Sequence, residues 1–335
     1  MLLIYKILRF SLLFKILIIN FPFSANAEAN FETWLTSYKN FALKKGISQE
    51  TINIAFKNVK FLEQVIKYDR KQPEFFEDTT TYVSKRANAT RVKTAKKLFK
   101  KNKNLFDSVE GNFYVEKEIL LALWGIETNF GKHVGKMDII SSLATLSYDK
   151  RRRDFFSSQL LILLKLIDDK LVDPNTLYGS WAGAYGNFQF MPSTIKRFAI
   201  DYDGNSKIEL KSSLDDSLAS AANYINRIGW KKGQPCFYRV KLTNKIKKKY
   251  VNSSARKISN RLKVSQWKKK GVVKFDGTEF DTNLKAALIL ADGKPDTPTF
   301  LVFENYEKIL KWNRSLRFGI SVCTLANMIK IIKLN

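Results

Sequence analysis

The sequence predicts an α+β fold, mainly α-helical, with a small β-rich insertion near the C-terminus. Three observations carry this reading. Apolar residues recur at helical spacing from Phe31 to about Phe106, and a second helical block runs from Val115 to about Ala222. From Cys236 to Phe303 the texture changes to short β-rich runs between turn signals. Of 335 residues, 45% are hydrophobic, enough for a sizeable core and too many for a disordered chain.

The elements follow in order. Residues 1–27 read as a secretory leader: Lys6 and Arg9 form a basic start, an apolar stretch follows, and Ser24-Ala25-Asn26-Ala27 closes it with the small residues of a cleavage site. Lys15 interrupts the apolar run, which argues against a permanent span, and no cysteine lies near Ala27 to take a lipid. The expectation is therefore cleavage after Ala27 and a periplasmic protein.

The segment 28–112 reads as an N-terminal helical region, with Trp34, Leu35, Tyr38 and Ala42 forming one stripe. Gly46 and Gln72-Pro73-Glu74 break it. The segment 113–234 holds the densest glycine and aromatic content and reads as the helical core of the chain. In 235–303 the strands are expected at Phe237–Leu242, Gly271–Phe275 and Thr299–Phe303, with turns at Asp276-Gly277 and Asp292-Gly293. Lys245–Lys249 reads as a solvated charge run. Finally 304–335 returns to the core, with Val322–Ile332 apolar at helical spacing. No internal repeat or low-complexity segment interrupts the chain.

Composition narrows the chemistry. A net charge of +27 favours a polyanionic partner, whether nucleic acid, an anionic membrane surface or a carboxylate-bearing polymer. Export removes nucleic acid from that choice and permits Cys236 and Cys323 to pair. A zinc site of the usual kind needs four ligands, and only His133, Cys236 and Cys323 are on offer. A serine-histidine hydrolase would rest wholly on His133, for which a surface or packing role is the simpler reading. Carboxylates are left as the leading candidates.

The most informative acid is Glu127. Eight uncharged residues, Ile119 to Ile126, precede it, and Gly125 and Gly131 flank it. A carboxyl in an apolar wall is held protonated to higher pH, as a general acid requires. The plainer alternative is an acid where a buried helix meets solvent. A second segment, Gly179 to Ser193, gathers three glycines and four aromatic residues around Gln189. Glycines permit close backbone approach and aromatic faces suit sugar rings, although a tight helical junction would look the same.

Taken together these blocks resemble the B-type lytic murein transglycosylases, which cleave bacterial peptidoglycan on a lysozyme-like fold. The matching blocks run in order through Asp69-Arg-Lys-Gln-Pro-Glu-Phe75, Trp124-Gly-Ile-Glu-Thr-Asn-Phe-Gly131, Leu143-Ala-Thr-Leu-Ser147 with Arg151-Arg152, and Ser180 to Pro192. Ala222-Asn-Tyr224, Gly229-Trp230 and Trp312-Asn-Arg-Ser315 complete them, so nearly the whole mature chain is covered. The resemblance implies that Glu127 acts as acid and then base on the bond between N-acetylmuramic acid and N-acetylglucosamine, closing a 1,6-anhydro ring. It implies Ser180, Gln189, Tyr224, Trp312, Asn313 and Phe318 along the groove. Trp312 and Phe318 stand where tyrosines are usual, which removes a hydroxyl from both positions. Arg151-Arg152 would either grip peptide-stem carboxylates or form a structural ion pair.

Asp201-Tyr-Asp203-Gly-Asn205-Ser-Lys207 has the oxygen side chains of a calcium loop at positions 1, 3 and 5. A strict EF-hand fails, because Ser206 and Ser212 occupy positions 6 and 12. The family resemblance implies a longer loop closed by Asp215 or Asp216, with Asp216 the better aligned, and a purely structural calcium. An ordinary Asp/Asn/Gly turn is the alternative. No cofactor is required for the reaction. The expected partner is the peptidoglycan glycan strand, with peripheral membrane contact as a further expectation. The competing functions are a non-catalytic murein scaffold, an ordinary muramidase that passes the sugar to water, and a basic membrane-surface protein.

Overall fold

The computed structural model describes residues 23–71, 77–294 and 297–331, with side chains from residue 30 onward. The greater part of the expected leader, residues 1–22, and the block Gln72–Phe75 lie outside the described residues, as does Ile332 at the end of the last apolar stretch. Among the described residues no helix is long and apolar enough to cross a membrane.

The helical half is built from α1 (Phe23–Lys44), α2 (Gln49–Ala55), α3 (Glu63–Arg70), α4 (Thr79–Arg86), α5 (Ala89–Lys101), α6 (Lys103–Phe113) and α7 (Lys117–Thr128). The stripe expected on α1 is buried: Leu35, Tyr38 and Ala42 enter the core with Phe31. Starts are set locally, since Ser48, Asp78 and Asn88 each accept a hydrogen bond from the amide three residues on.

After α7 come β1 (Met137–Asp138), α8 (Ile139–Tyr148), α9 (Arg153–Asp168), β2 (Tyr178–Gly179), α10 (Pro192–Phe198) and α11 (Leu214–Arg227). Strands β1 and β2 pair antiparallel. Arg151 and Arg152, at the turn into α9, both hold the buried Asp69 of α3. The arginine pair is thus a structural clamp between α3 and the α8–α9 turn.

The β-rich part contains β3 (Phe237–Leu242), β4 (Val251–Asn252), β5 (Leu262–Lys263), a short α12 (Val264–Lys268), β6 (Val272–Lys274), β7 (Lys285–Leu290) and β8 (Thr299–Val302). The strand order is β4-β7-β8-β3-β6, with β5 also on β7. Three strands lie where the sequence predicts them. The central β7 was not anticipated: Ala286 to Leu290 are all buried, so the strand reads as a continuous apolar run without alternation. One face of the sheet joins the helical core through Phe237, Ala287, Ile289, Phe300 and Val302. The other closes a small core of its own around Trp267, Val240 and Leu288.

Helices α13 (Glu304–Trp312) and α14 (Leu316–Ile331) return the chain to the helical body, where α14 packs along α7 and α4. A disulfide joins Cys236, just before β3, to Cys323 on α14, with Cα atoms 6.0 Å apart.

Asp292, in the β7–β8 turn, fastens two distant helices. Its carboxylate accepts from the Thr79 amide and hydroxyl at the start of α4 and from Arg317 of α14. Burial pushes its pKa up, but the Thr79 and Arg317 hydrogen bonds outweigh it and hold the carboxyl below the ordinary range. A depressed folded-state pKa gives stability that is present above the unfolded value of about 3.9 and is lost as pH falls through the folded one. Asp292→Asn should therefore cost about 1–3 kcal/mol at neutral pH. Urea denaturation of both proteins should show the difference vanishing in strong acid.

Candidate active site

Helix α7 is buried from Ile119 to Gly125, which leaves Glu127 half-buried on its last turn. The helix then ends abruptly. Asn129, Phe130 and Gly131 take φ values of 50°, 60° and 80°, and Phe130 folds back over Gly125. A Cβ at Gly125 would lie 2.7 Å from the Phe130 ring, so the glycine is needed for this return. Trp124 Nε1 donates to Asn187 Oδ1, Thr128 Oγ1 donates to the Asn187 carbonyl, and Gly131 N–H donates to Thr128 Oγ1. The carboxylate thus rides on a helix end fixed from three sides.

The second wall is the turn after β2. Ser180 Oγ accepts from the amides of Ala182 and Ala184, which closes the turn and leaves the hydroxyl proton for another acceptor. Gln189 stands in the left-handed region at φ 50°, and its Nε2 donates to the carbonyls of Val134 and Gly186. Asn187 also donates through its amide to the Leu210 carbonyl. One residue therefore ties the Glu127 helix to the chain leading into α11.

The third wall comes from the far end of the sequence. Trp312, the last residue of α13, donates from Nε1 to Glu127 Oε1 at 2.8 Å. Tyr224 of α11 stacks on Trp312, ring centroids 4.9 Å apart, and Phe198 stacks on the other face of Tyr224 at 4.4 Å. Phe190 meets Trp312 edge-on at 5.4 Å. Tyr224 donates its hydroxyl to the Lys311 carbonyl, and burial raises its pKa, so it stays a neutral donor. At position 312 an indole N–H, a donor only, meets the carboxylate.

Glu127, Trp312 and Tyr224 thus meet in series, and Gln189 stands on the Ser180 turn between Phe188 and Phe190, both of which meet the Trp312 ring. Asn313 caps α13, its amide donating to the Ile309 carbonyl, and is half-buried beside Trp312. Phe318 is different: it is 3% exposed and belongs to the core at the start of α14. Its burial corrects the expectation of a groove-lining ring there. His133 is exposed and makes a backbone bond to Thr128.

The residues that sequence reasoning passed over are Asn187, Thr128 and Trp124. All three lie inside the quoted blocks, and their signal is a polar group in an otherwise apolar run.

Beyond Asn187, the Asp201 loop and the start of α11 bring Asp201, Asp203 and Asp216 together, with one carboxylate oxygen from each within 4.8 Å of the others. Asp216 is fully buried and accepts from the amides of Tyr202 and Glu209. Asp201 accepts from the amides of Gly204 and Ser206. Asn205 Oδ1 accepts from the Lys207 amide, and Asp215 is not in the cluster. Three hard oxygen donors converging from a loop and a helix fit a cation of the calcium type.

A family model described as the transglycosylase SLT domain matches residues 30–327. Membrane-bound lytic murein transglycosylase B of Escherichia coli (strain K12) is 42% identical over 120 residues, which is 36% of this chain and 33% of that protein. The match thus spans about a third of that curated relative. SltB3 from Pseudomonas aeruginosa, solved in complex with NAG-NAM-pentapeptide, is 33% identical with a TM-score of 0.83, covering 90% of this chain and 79% of that one. The Escherichia coli lytic transglycosylase Slt35, solved in complex with calcium, is 25% identical with a TM-score of 0.73, covering 92% of this chain and 95% of that one.

Proposed function

The chain belongs to the transglycosylase SLT domain family, with the B-type lytic transglycosylases, and from that premise we propose that it is an exported peptidoglycan lytic transglycosylase. The observation that carries the reading is the Glu127 carboxyl. It stands at the end of an apolar helix, hydrogen-bonded to Trp312 within a cluster of aromatic rings.

The chemistry follows from one acid used twice. Protonated Glu127 gives its proton to the oxygen linking N-acetylmuramic acid to N-acetylglucosamine, and the bond from that oxygen to the muramoyl anomeric carbon breaks. The carboxylate, supported by the Trp312 N–H, then takes the proton of the C6 hydroxyl as that oxygen closes on the anomeric carbon. Glu127 ends protonated, as it began, and no water is consumed. This differs from the two-carboxylate scheme of ordinary glycosidases. The stacked Tyr224 and Trp312 fix the aromatic cluster, while Ser180, Gln189 and Asn313 offer polar groups for orienting the sugar.

Export is supported by the leader pattern and by the Cys236–Cys323 bond, which an oxidising compartment allows. Mass spectrometry of the soluble products released from murein sacculi tests the reading. Products ending in 1,6-anhydromuramic acid are expected. Reducing ends would make the protein a muramidase, and binding without release would make it a scaffold.

Asp201, Asp203 and Asp216, with Asn205 and the Lys207 carbonyl, are the groups that would hold a structural calcium. At a hundredfold excess over its dissociation constant such an ion stabilises the fold by about 2.7 kcal/mol. Thermal melts should therefore rise with added calcium, fall back with chelator, and become insensitive to both in Asp203→Ala.

A further inference from the structure

We propose that the face of the sheet carrying Arg239, Lys241 and Phe275, where β3 lies against α14, docks on an anionic phospholipid bilayer. The sequence between Asp216 and Asp276 contains seventeen Lys and Arg and no Asp or Glu. Most of these cations fall on the β-rich part and are exposed. Charge of one sign over such a length is more than solubility needs, and it is complementary to a negative surface.

The second observation is apolar. A groove of about 400 Å³ opens between α4, the sheet and α14, lined by Val83, Phe300, Ile320, Met328 and Ile331. Ile331 is 79% exposed at its mouth. Arg239 of β3 lines the same groove and lies over the ring of Phe275, its guanidinium carbon 3.8 Å from the ring centre. Lys241 reaches the same ring at 4.5 Å. Lys241 pairs opposite Val273, so Arg239, Lys241, Val273 and Phe275 share one face of the sheet. Phe275 and Val273 are both exposed there.

The three acids that follow β6 each have partners: Asp276 accepts from the amide and hydroxyl of Thr278. Glu279 pairs with Lys268, and Asp281 accepts from Tyr238, which points to the opposite sheet face. An apolar groove with Arg239 in its wall, beside an exposed ring flanked by Arg239 and Lys241, matches the bilayer interface, where apolar groups enter the acyl boundary and cations meet phosphates. A glycan strand with carboxylates would satisfy the charge but not the groove. The inference is independent of the catalytic reading, because none of these residues lies in the Glu127 site.

The test uses the mature chain and sedimentation with vesicles of phosphatidylglycerol and phosphatidylcholine, against phosphatidylcholine alone. Wild type should sediment with the anionic vesicles and be released by salt. Arg239→Gln with Lys241→Gln should weaken partitioning by about thirtyfold. Phe275→Ser should weaken it by about tenfold. Both variants should melt as wild type does and keep product release from soluble glycan fragments. Absence of vesicle binding, binding unchanged in both variants, or a matching loss of sacculus binding would overturn the bilayer assignment. The product assay, read separately, shows whether the catalytic reading stands.

Discussion

Glu127→Gln is expected to lower release of anhydromuropeptides by ~10² to 10⁴, the usual worth of a positioned proton donor and acceptor. The amide keeps the size of the carboxyl, and its oxygen still accepts from Trp312 Nε1, so the aromatic cluster should stay in place. What it cannot do is give a proton to the leaving oxygen or take one from the C6 hydroxyl. The melting temperature and sacculus binding should therefore match wild type while product release collapses. Turnover within a few-fold of wild type would remove Glu127 from the mechanism.

Gly135→Ala should cost about 3–5 kcal/mol, combining left-handed strain with overpacking. Gly135 has φ 89°, and a Cβ there would lie 2.0 Å from the Gly179 carbonyl oxygen. Gly179 cannot withdraw, because its own Cβ position is 2.1 Å from the Ala184 carbonyl oxygen. The preceding carbonyl, Val134, holds Gln189, so the substitution should damage the site as well as the fold. Gly111→Ala is the control of opposite sign. It lies exposed in α6 with nothing within 4 Å of its Cβ position, and should stabilise by ~0.5–1 kcal/mol. Urea denaturation of both variants measures the contrast.

How much of this was legible depends on sequence distance. Glu127 could be read because a long uncharged run ends on it, and that run and the helix are local. The turn from Gly179 to Ser193 was legible as a tight, aromatic segment, since its glycines are adjacent. The bond from Trp312 to Glu127 spans 185 residues and depends on α13 returning after the whole β-rich part, which no local pattern encodes. Asp216 rather than Asp215 joins the loop because α11 begins after Ser213, whose hydroxyl accepts from the Asp216 amide and sets the helix register. Strand β7 escaped notice because a strand buried on both faces loses the period-two signal. Phe318 was placed by resemblance alone, and burial on α14 removes it from the site.

The Cys236–Cys323 bond has a consequence for how the protein resists peptidases. It closes a ring of 87 residues in sequence separation, and that ring contains the exposed run Lys245–Lys249, an obvious target for a trypsin-like enzyme. A single cut there leaves both fragments covalently joined, with α14 still seated on α7 and Trp312 still beside Glu127. Nicked protein should run as one species on a gel until it is reduced, and then as two.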